Sequence, residues 1–520
     1  MAYGVNKLAQ RNAARVDSLP PPVGGWNARD SLANMEATDA VQLNNLFPTI
    51  SNVILRGGYT EHATGMSGAI ETLMVYAGGS TEEMFAIDGT GLDIYNVTAS
   101  GAVGAAEVTG LSTAKWEHIN VSTPGGNFLY AVNGVDKPLL YDGSAWTSID
   151  AASTPAITGV TTTDLDNITL FKNQVWFIQK NTLVAWYLPT LSVGGAAAYI
   201  DLRAVAKYGG YLVDVDTWTI DAGYGVDDNL VFITSQGEAI VYSGTDPSDA
   251  TKWSLIGVWK LGSPIGKRCL YKYGGDLLVL TYDGLLPLAS ALQSSRLDPR
   301  VSLSNKIQGA IAEATVAYGG NFGWDITYTA KYNALWVNVP VSTGNQEQFV
   351  MNTITKSWCR FTGWNANCWE VFKDNPYFGG TGSVYKAWDS GYEDDGANIE
   401  TSCFQAFNYF DARGVKKYFT RARPSLFTNG SPGIFVGMNV DFALNDTATP
   451  LTFSAPVGAL WDSGIWDSSV WGDSLVISNQ WQGITGIGFC GSLQFKSISK
   501  GTAIEWASTD VVYQTGWAGI

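Results

Sequence analysis

Few residues in this 520-residue chain are of the types that usually perform acid–base or nucleophilic chemistry. It has two histidines, His62 and His118, and neither belongs to a cluster of possible partners. Serine triads need a histidine base, and zinc sites need grouped Cys and His ligands. We interpret both histidines as ordinary surface or half-buried residues. The sequence therefore predicts no catalytic, cofactor-binding or metal-binding residue, and so no enzyme and no cofactor.

The cysteines support the same conclusion. Their number is odd, and no CxxC pair, disulfide framework or zinc spacing occurs among them. We expect small core residues of a protein made in a reducing compartment. The five are Cys269, Cys359, Cys368, Cys403 and Cys490.

Paired carboxylates are the remaining candidates for chemistry, because two carboxyl groups suffice for glycoside hydrolysis. The pairs are Asp227-Asp228, Glu82-Glu83 and Asp394-Asp395, all in turn-like contexts. Adjacent residues on a strand point to opposite faces, so adjacency does not indicate a shared site. The turn from Ser248 to Trp253 resembles a sialidase repeat but lacks its glycine and occurs once. A glycan-binding or glycan-cleaving protein stays as the alternative hypothesis.

Composition restricts the partners. Hydrophobic residues make up 46% of the chain and charged residues only 15%, with a net charge of −16. Duplex affinity comes largely from Lys and Arg, so an acidic chain is not typical of a phosphate-binding protein. The low charge suggests either a surface covered by sibling subunits or a β protein with Ser, Thr and Asn on its surface.

The N-terminal segment shows no targeting signal. Residues 1–18 carry Lys7, Arg11 and Arg15 without an apolar stretch behind them, which excludes a signal peptide. No run of eighteen apolar residues occurs, so no membrane span is expected. The stiff Leu19-Pro20-Pro21-Pro22 segment separates this polar arm from the rest of the chain.

The elements that would position any site are short strands. Apolar runs rich in β-branched and aromatic residues alternate with Asp-Gly and Asn-Gly turns such as Asp88-Gly89 and Asp142-Gly143. The pattern recurs at roughly forty-residue spacing, as in β-propellers, although two packed sheets would look similar. The predicted fold is all-β, a β-propeller of six or seven irregular blades. The units span about 71–98, 116–149, 166–200, 216–258, 264–290, 322–363 and 368–391.

Two segments depart from this rhythm. Ser304 to Tyr318 has a helical pattern, with Ile307, Ile311 and Ala314 on one face and Ser304 as the cap. A short helical turn is also expected from Asp39 to Leu46, ended by Pro48.

After Asp394-Asp395-Gly396 the strand pattern changes to that of an antiparallel β domain. The predicted domains are therefore a docking arm at 1–60, the propeller at 61–395 and a β-sandwich-like domain at 396–520. Within the last, Trp461, Trp466 and Trp471 recur every five residues. This spacing fits neither a strand nor a helix face, and indicates a loop that anchors aromatic rings in neighbouring surfaces.

One dense basic patch lies in the last domain. Its members alternate with Tyr418 and Phe419, and are Arg413, Lys416, Lys417, Arg421 and Arg423. A contact with nucleic acid or an acidic partner is one interpretation. In an acidic chain we favour a subunit contact or a solvated strand face.

Three blocks of sequence resemble the podovirus tail nozzle proteins, also called tail tubular B or packaged-DNA stabilisation proteins. The first runs from Gly24-Gly25-Trp26-Asn27 through Asp39, Asn44 and Pro48 to Arg56-Gly57-Gly58. The second contains Gly244-Thr245-Asp246-Pro247, and the third is the Trp461–Trp471 run with the C-terminal Ile504-Glu505-Trp506 and Tyr513-Gln514-Thr515-Gly516. Together the blocks extend over nearly the whole chain.

The resemblance implies a virion protein assembled in the bacterial host cytoplasm. It implies a homohexameric ring below the portal and adaptor that continues the DNA channel and retains the packaged genome. Such a ring also provides docking surfaces for fibres, spikes or a plug. The family carries no cofactor and no catalytic residues, so none are transferred. An unrelated cellular propeller scaffold remains a further alternative.

The net charge generates a prediction about DNA. A duplex must slide through a channel, and an acidic wall repels it whereas clustered Lys and Arg would hold it by counterion release. We expect no gel shift of duplex DNA by the purified protein at physiological salt. Salt-sensitive binding that is lost when Lys416, Lys417, Arg421 and Arg423 become Ala would contradict this.

Overall fold

A computed structural model describes residues 14–221, 226–293, 299–389, 391–446 and 475–516. The chain forms two compact units. The terminal unit comprises Met1–Gly58, Asn352–Phe361 and Ser390–Ile520, and the propeller unit comprises Tyr59–Met351 and Thr362–Asp389. Residues 14–58 therefore belong to the same unit as the described C-terminal residues. They are not the separate arm that the sequence predicted.

The first strands of the chain lie in the terminal unit. They are β1 (Ala14–Leu19), β2 (Gly25–Trp26), β3 (Asp39–Asn44), β4 (Leu46–Pro48) and β5 (Val53–Leu55). The helical turn expected from Asp39 to Leu46 is wrong. Strand β3 lies inside a sheet, where pairing satisfies its backbone groups better than one isolated helical turn could.

The propeller unit begins with β6, and its described residues form seven antiparallel blades, of which the first and last share β6. Blade 1 consists of the second half of β6 (Gly58–Ala77), β7 (Glu82–Asp88) and β8 (Ile94–Asn96), with β9 (Gly101–Ala102) nearby. Blade 2 is β10 (Glu117–Thr123), β11 (Gly126–Val132), β12 (Leu139–Tyr141) and β13 (Trp146–Ser148). Between blades 2 and 3 lies β14 (Ile157–Thr158).

Blades 3 and 4 repeat this plan. Blade 3 is β15 (Leu165–Phe171), β16 (Gln174–Gln179), β17 (Val184–Tyr187) and β19 (Ala198–Asp201), with β18 (Gly195–Ala196) paired to β14. Blade 4 is β20 (Leu212–Asp221), β21 (Val226–Thr234), β22 (Glu238–Gly244) and β23 (Trp253–Lys260).

Blades 5 to 7 complete the ring. Blade 5 is β24 (Leu270–Tyr273), β25 (Asp276–Thr281) and β26 (Gly284–Pro287), and blade 6 contains β27 (Asp325–Thr329), β28 (Ala334–Ser342) and β29 (Asn345–Asn352). Strand β30 (Trp358–Thr362) comes next in the chain. Blade 7 is β31 (Cys368–Phe372), β32 (Asn375–Gly379) and β33 (Thr381–Asp389). The seven sheets confirm the predicted β-propeller.

Strand β6 closes the propeller. In the sheet that contains blades 7 and 1, β6 lies between β33 of blade 7 and β7 of blade 1. The first half of β6 is therefore the outer strand of the last blade. Its second half pairs with β7 from Ile70 to Ala77 and forms the inner strand of the first blade. One face of the closing half is buried, since Ala63 has no exposed surface and belongs to a cluster with Met66, Phe372 and Tyr377. Closure in this way leaves no gap in the ring of blades.

Apolar side chains fill the spaces between neighbouring blades. Trp176 and Tyr187 of blade 3 pack with Phe232 and Ile240 of blade 4 in one buried cluster. Similar clusters join blades 1 and 2 and blades 2 and 3. All five cysteines are free and buried, as expected from the sequence.

The described residues contain few helices. They are α1 (Leu288–Gln293) and α2 (Gln308–Tyr318), with 3₁₀ turns at Thr162–Asp164, Leu202–Ala204, Pro299–Val301 and Asn305–Ile307. The predicted helix is confirmed, with Ile307, Ile311 and Ala314 buried. Ser304 does not cap it through its side chain, because its hydroxyl accepts a hydrogen bond from the Leu285 N–H at 3.0 Å. Neither α-helix in the described ranges has the length and apolarity that a membrane crossing requires.

The rest of the terminal unit consists of β34 (Ile399–Gln405), β35 (Lys417–Thr428), β36 (Gly433–Val440), β37 (Val476–Asn479), β38 (Gln482–Gly488), β39 (Gly491–Ser499) and β40 (Ile504–Thr515). Sheet I has the order β37-β35-β40-β5-β4, with β1 on β40 and β38 on β35. Sheet II contains β30-β3-β34-β39-β36, with β2 on β3. Phe495 of sheet II stacks on Trp506 of sheet I with centroids 4.6 Å apart, as in a sandwich.

The closing strand generates a stability prediction. Ala63→Asp places a carboxylate in a fully buried position, at a cost of about 2–4 kcal/mol in the free energy of unfolding. Urea denaturation of the full chain measures this cost. The matched change Ala99→Asp alters an exposed loop and should have little effect. Equal effects of the two changes would contradict a closing role for β6.

Candidate functional site

The inner strands of the seven blades surround one central cavity of about 640 Å³. Each blade contributes the strand nearest the axis, namely β6, β10, β15, β20, β24, β27 and β31. Alternate side chains of these strands point into the cavity because successive residues on a strand face opposite ways. We call this cavity the channel of the propeller, as distinct from the DNA channel of an assembled tail.

Arg268 is the centre of the charged network in the channel. Its guanidinium donates to the Glu117 carboxylate at 3.2 Å and lies 3.9 Å from Asp325. It also donates to the Thr72 hydroxyl at 3.2 Å and to the Trp116 carbonyl at 3.0 Å. One cation at the start of blade 5 therefore joins that blade to blades 1, 2 and 6.

Asp325 is deeply placed beside this cation. Burial raises the pKa of its carboxyl to about 7, and the attraction of Arg268 opposes part of that rise. Glu117 and Glu370 raise this pKa further because they repel a second negative charge. Asp325 thus changes charge near neutral pH.

Asp214 forms a second polar centre. It accepts hydrogen bonds from the Leu270 N–H at 3.0 Å, the Val215 N–H at 2.8 Å and the Asn167 side-chain amide at 2.9 Å. Burial raises the pKa of its carboxyl well above the ordinary value, and Asp216 and Glu117 add to the effect. The hydrogen bonds from the Leu270 and Val215 N–H groups act in the opposite direction and lower this pKa.

The remaining charges of the lining are also paired. His118 Nε2 lies 3.3 Å from the Glu370 carboxylate, and Lys272 Nζ lies 2.8 Å from Asp216. Thr169 donates a further hydrogen bond to Asp216 at 2.9 Å. Arg268 and Lys272 thus each pair with a carboxylate of another blade, and the lining as a whole contains more carboxyl groups than permanent cations.

Sequence reasoning missed this convergence. It treated His118 as an ordinary residue and did not single out Arg268 or Asp325. A signal was present, since a polar residue stands near the start of the first strand in most repeat units. Aligning the units on that strand would have found Glu117, Asn167, Asp214, Arg268, Asp325 and Glu370.

His62 has a structural position. Its Nε2 lies 2.9 Å from the Val97 carbonyl, and its ring contacts Tyr377 with centroids 4.9 Å apart. Burial lowers the pKa of this imidazole. Among the described residues, no group of three or more His, Cys, Asp or Glu side chains could hold a metal ion.

The residues of the first block that resembles the nozzle family lie in the terminal unit. Arg56 is buried and forms a bidentate ion pair with Asp394, with distances of 2.8 and 2.6 Å. Its Nε donates to the Asn45 side chain at 2.9 Å, and its Nη1 donates to the Gly57 carbonyl at 2.9 Å. This pair joins residues 338 positions apart in the sequence.

The other residues of that block pack just as closely. Gly25 has a φ of +81°, and a Cβ there would lie 2.5 Å from the Trp358 carbonyl oxygen. A Cβ on Gly24 would collide with the Asp39 carboxylate, which accepts a hydrogen bond from Asn27 at 2.7 Å. Their surroundings explain why glycines stand at both positions.

Asn44 and Pro48 lie on strands of the same unit. Arg360 donates to the Asn44 side chain at 2.9 Å, and Asn352 donates to the Pro48 carbonyl at 3.0 Å. These hydrogen bonds connect both residues to neighbouring parts of the terminal unit.

The second block is a turn between β22 and β23. Gly244 has a φ of +139°, and a Cβ there would lie 2.0 Å from the Lys252 carbonyl oxygen. The Asp246 carboxylate accepts from the Ser248 hydroxyl at 2.6 Å and its N–H at 3.0 Å, which orders the turn through Pro247. The third block's Trp461, Trp466 and Trp471 lie outside the described residues.

The basic patch divides into two kinds of residue. Lys417 is fully buried, and its ammonium group donates to the carbonyls of Ala412, Val415 and Phe489 at 2.6–3.1 Å. The predicted subunit contact therefore excludes its side chain, and Lys417 should stay native in the variant that tests DNA binding. Arg423 pairs with Asp510 at 2.6 Å, and Arg421 is exposed.

Arg413 and Lys416 both lie over aromatic rings. Arg413 Cζ is 4.6 Å from the ring centre of Tyr409, and Lys416 Nζ is 5.6 Å from that of Phe489. The expectation that they contact a neighbouring subunit stays a prediction.

The seven sheets around one channel define a β-propeller protein. Solved structures similar to it include YCF48 from Cyanidioschyzon merolae, at 12% identity and a TM-score of 0.36 over 64% of this chain and 98% of that chain. The Cps50 (Swd1) β-propeller domain of Myceliophteria thermophila is similar at 14% identity and a TM-score of 0.38, over 64% and 99% of the two chains. No protein family and no curated protein matches the chain. Likeness at this level concerns the fold and carries no functional argument.

Asp325 generates a pH prediction. Its pKa in the folded protein, about 7, is above that of an unfolded aspartate near ~3.9, so the folded state binds more protons between these values. This residue's contribution to the free energy of unfolding therefore falls as pH rises from about 4 to about 7. Asp325→Asn should flatten that decline in urea titrations at several pH values.

The control for this prediction is Asp395→Asn, which changes an exposed carboxyl in the terminal unit. It should leave the slope of stability against pH unchanged. An Asp325→Asn protein with the wild-type slope would show that Asp325 does not titrate in this range.

Proposed function

We propose that this protein is a structural subunit of a short-tailed bacteriophage tail. In this role it forms a homohexameric nozzle ring that continues the DNA channel below the portal and adaptor. The ring retains the packaged genome and presents docking surfaces for fibres, spikes or a plug. The proposed role requires no reaction and no cofactor, and it places the protein in the virion.

The observation that carries this proposal is the position of the residues that resemble the nozzle family. In the described part of the chain they form turns and buried pairs, of which Arg56–Asp394 and the Gly24–Asp39 contact are the clearest. Residues that hold a scaffold together in this way suit a structural subunit.

The channel of the propeller supports an enzymatic reaction less well than the buried contacts support a structural role. Its carboxylates are engaged by Arg268, Lys272, His118 and backbone N–H groups. A glycosidase needs one carboxyl group free to donate a proton and another free to act as nucleophile or base. Asp325, whose pKa is raised to about 7, could donate a proton, but Glu117, Asp216 and Glu370 each lie against Arg268, Lys272 or His118.

A glycan-binding propeller of a tail fibre or spike is the second candidate. The observation in its favour is the channel itself, whose polar lining includes the aromatic residues Tyr328 and Trp369. Polar groups beside aromatic rings are typical of ligand sites. Such fibre or spike proteins are usually trimers.

Symmetry of the assembled tail tests the proposal. Electron cryo-microscopy of assembled tails should show this chain as a sixfold ring around a continuous channel. Purified subunits are expected to close into rings once the partner ring is added, because that ring supplies a template. Threefold density, or trimeric rods in negative stain, would contradict the nozzle role and favour the glycan-binding candidate.

A further inference from the structure

The channel of the propeller contains more carboxyl groups than its cations can neutralise. Its lining has two permanent cations, Arg268 and Lys272. Arg268 lies against two carboxylates and Lys272 against one. His118 lies beside a further carboxylate but carries a charge only when its imidazole is protonated. The carboxyl residues of the lining are Glu117, Asp214, Asp216, Asp325 and Glu370.

The acidity of two of these groups reflects the shortage of positive charge. Burial raises the pKa of Asp214 well above its ordinary value, and the charges of Asp216 and Glu117 raise it further. Burial also raises the pKa of Asp325, although Arg268 lies beside that carboxyl group. A cation that entered the channel would favour the charged form of both groups. The lining can therefore accommodate additional positive charge.

A hydroxyl group that needs a partner faces the same space. Thr327 follows Asp325 by two residues on β27, so both side chains lie on the channel side of the strand. Thr327 is only 5% exposed, and no residue in the described part of the chain hydrogen-bonds to its side chain. Because a buried hydroxyl is costly without a partner, that partner must come from a molecule in the channel. Water could supply the hydrogen bond but not the positive charge that the lining lacks.

Tyr271 places a second hydroxyl group near the same carboxylates. Its oxygen accepts a hydrogen bond from the Tyr328 N–H at 3.1 Å. Burial, together with the charges of Glu370 and Asp325, raises the pKa of Tyr271 to about 12. The phenol therefore stays neutral at physiological pH, and its oxygen can accept a further hydrogen bond.

We propose that the channel of the propeller binds a small organic cation that carries primary ammonium groups, such as a polyamine. An ammonium group has a positive charge and three N–H donors, which match carboxylates that stand beside hydroxyl oxygens. Tyr328 and Trp369 also line the cavity, and aromatic rings attract ammonium groups. The cavity volume of about 640 Å³ lies in the range of roughly 300–1,000 Å³ that is usual for small-molecule sites. This inference goes beyond the proposed function and does not depend on it.

Other classes of ligand fit the channel less well. Among the residues that the structure describes, no group of three or more His, Cys, Asp or Glu could hold a metal ion. An anion would be repelled by the surplus of carboxyl groups. A neutral sugar would use the hydroxyl groups and the aromatic rings, but it would leave that surplus unbalanced.

Isothermal titration calorimetry of the full chain with spermidine at low ionic strength tests the site. Wild type should bind a single spermidine per chain. Asp325→Asn and Glu370→Gln should each weaken binding about tenfold, because each change removes a negative charge that holds the ammonium group. The matched controls are Asp395→Asn and Glu313→Gln, since both of these carboxylates are exposed and lie outside the channel. The controls should bind spermidine like wild type.

The variant Thr327→Val separates binding from folding. It removes the hydroxyl group and keeps a similar side-chain shape. Since no described residue hydrogen-bonds to this hydroxyl, the unfolding midpoint should stay the same or rise. Spermidine affinity should nevertheless fall by about threefold to tenfold. A merely structural role of Thr327 would not produce this combination.

Several results would overturn the proposal. A wild-type chain that does not bind spermidine at millimolar concentration has no such site. An equal loss of affinity in the channel variants and in the controls would show that the acidic surface holds the amine. Displacement of spermidine by an equal concentration of glucose or of Mg²⁺ would assign the channel to a sugar or to a metal ion. Each of these results is independent of ring symmetry, which tests the nozzle role.

Discussion

The propeller depends on the shared strand β6. A ring of blades is stable only if its first and last sheets are joined, because an open ring would expose strand edges and unpaired backbone groups. Here one continuous strand serves both sheets, with Gly65 and Gly68 at φ values of +94° and +79° where it passes from one blade to the next. A side chain at Gly68 would collide with Thr90, so this passage requires glycine. The positions of the inner strands and of the side chains that line the channel depend on that closure.

The channel network follows from the same geometry. Closing seven sheets brings their inner strands together, and polar residues at equivalent positions then meet in a confined space. Charges in such a space are costly unless they are paired. Arg268, with carboxylates from two other blades, satisfies that requirement. The pairing also fixes the angles between blades, which favours a rigid body over a deformable one.

The sequence predicted the local features well and the distant ones poorly. Asp-Gly and Asn-Gly hairpins are short-range signals, and the predicted unit at 116–149 contains all four strands of blade 2. The terminal unit could not be found in this way, because its sheets pair β1 with β40 and β3 with β34, far apart in the chain. The same reason applies to Arg56, whose partner Asp394 was assigned to another domain, and to Lys417, whose burial depends on the distant Phe489 carbonyl. Strand periodicity cannot reveal which remote segment a side chain will meet.

The interleaved order of the two units has a mechanical consequence. The backbone passes from one unit to the other after Gly58, Met351, Phe361 and Asp389. A single proteolytic nick at any one of these passages leaves the two units covalently joined through the others. Mechanical load on the chain is likewise divided among several parallel covalent links instead of one hinge. Such redundancy would delay separation of the two units even after damage to the chain.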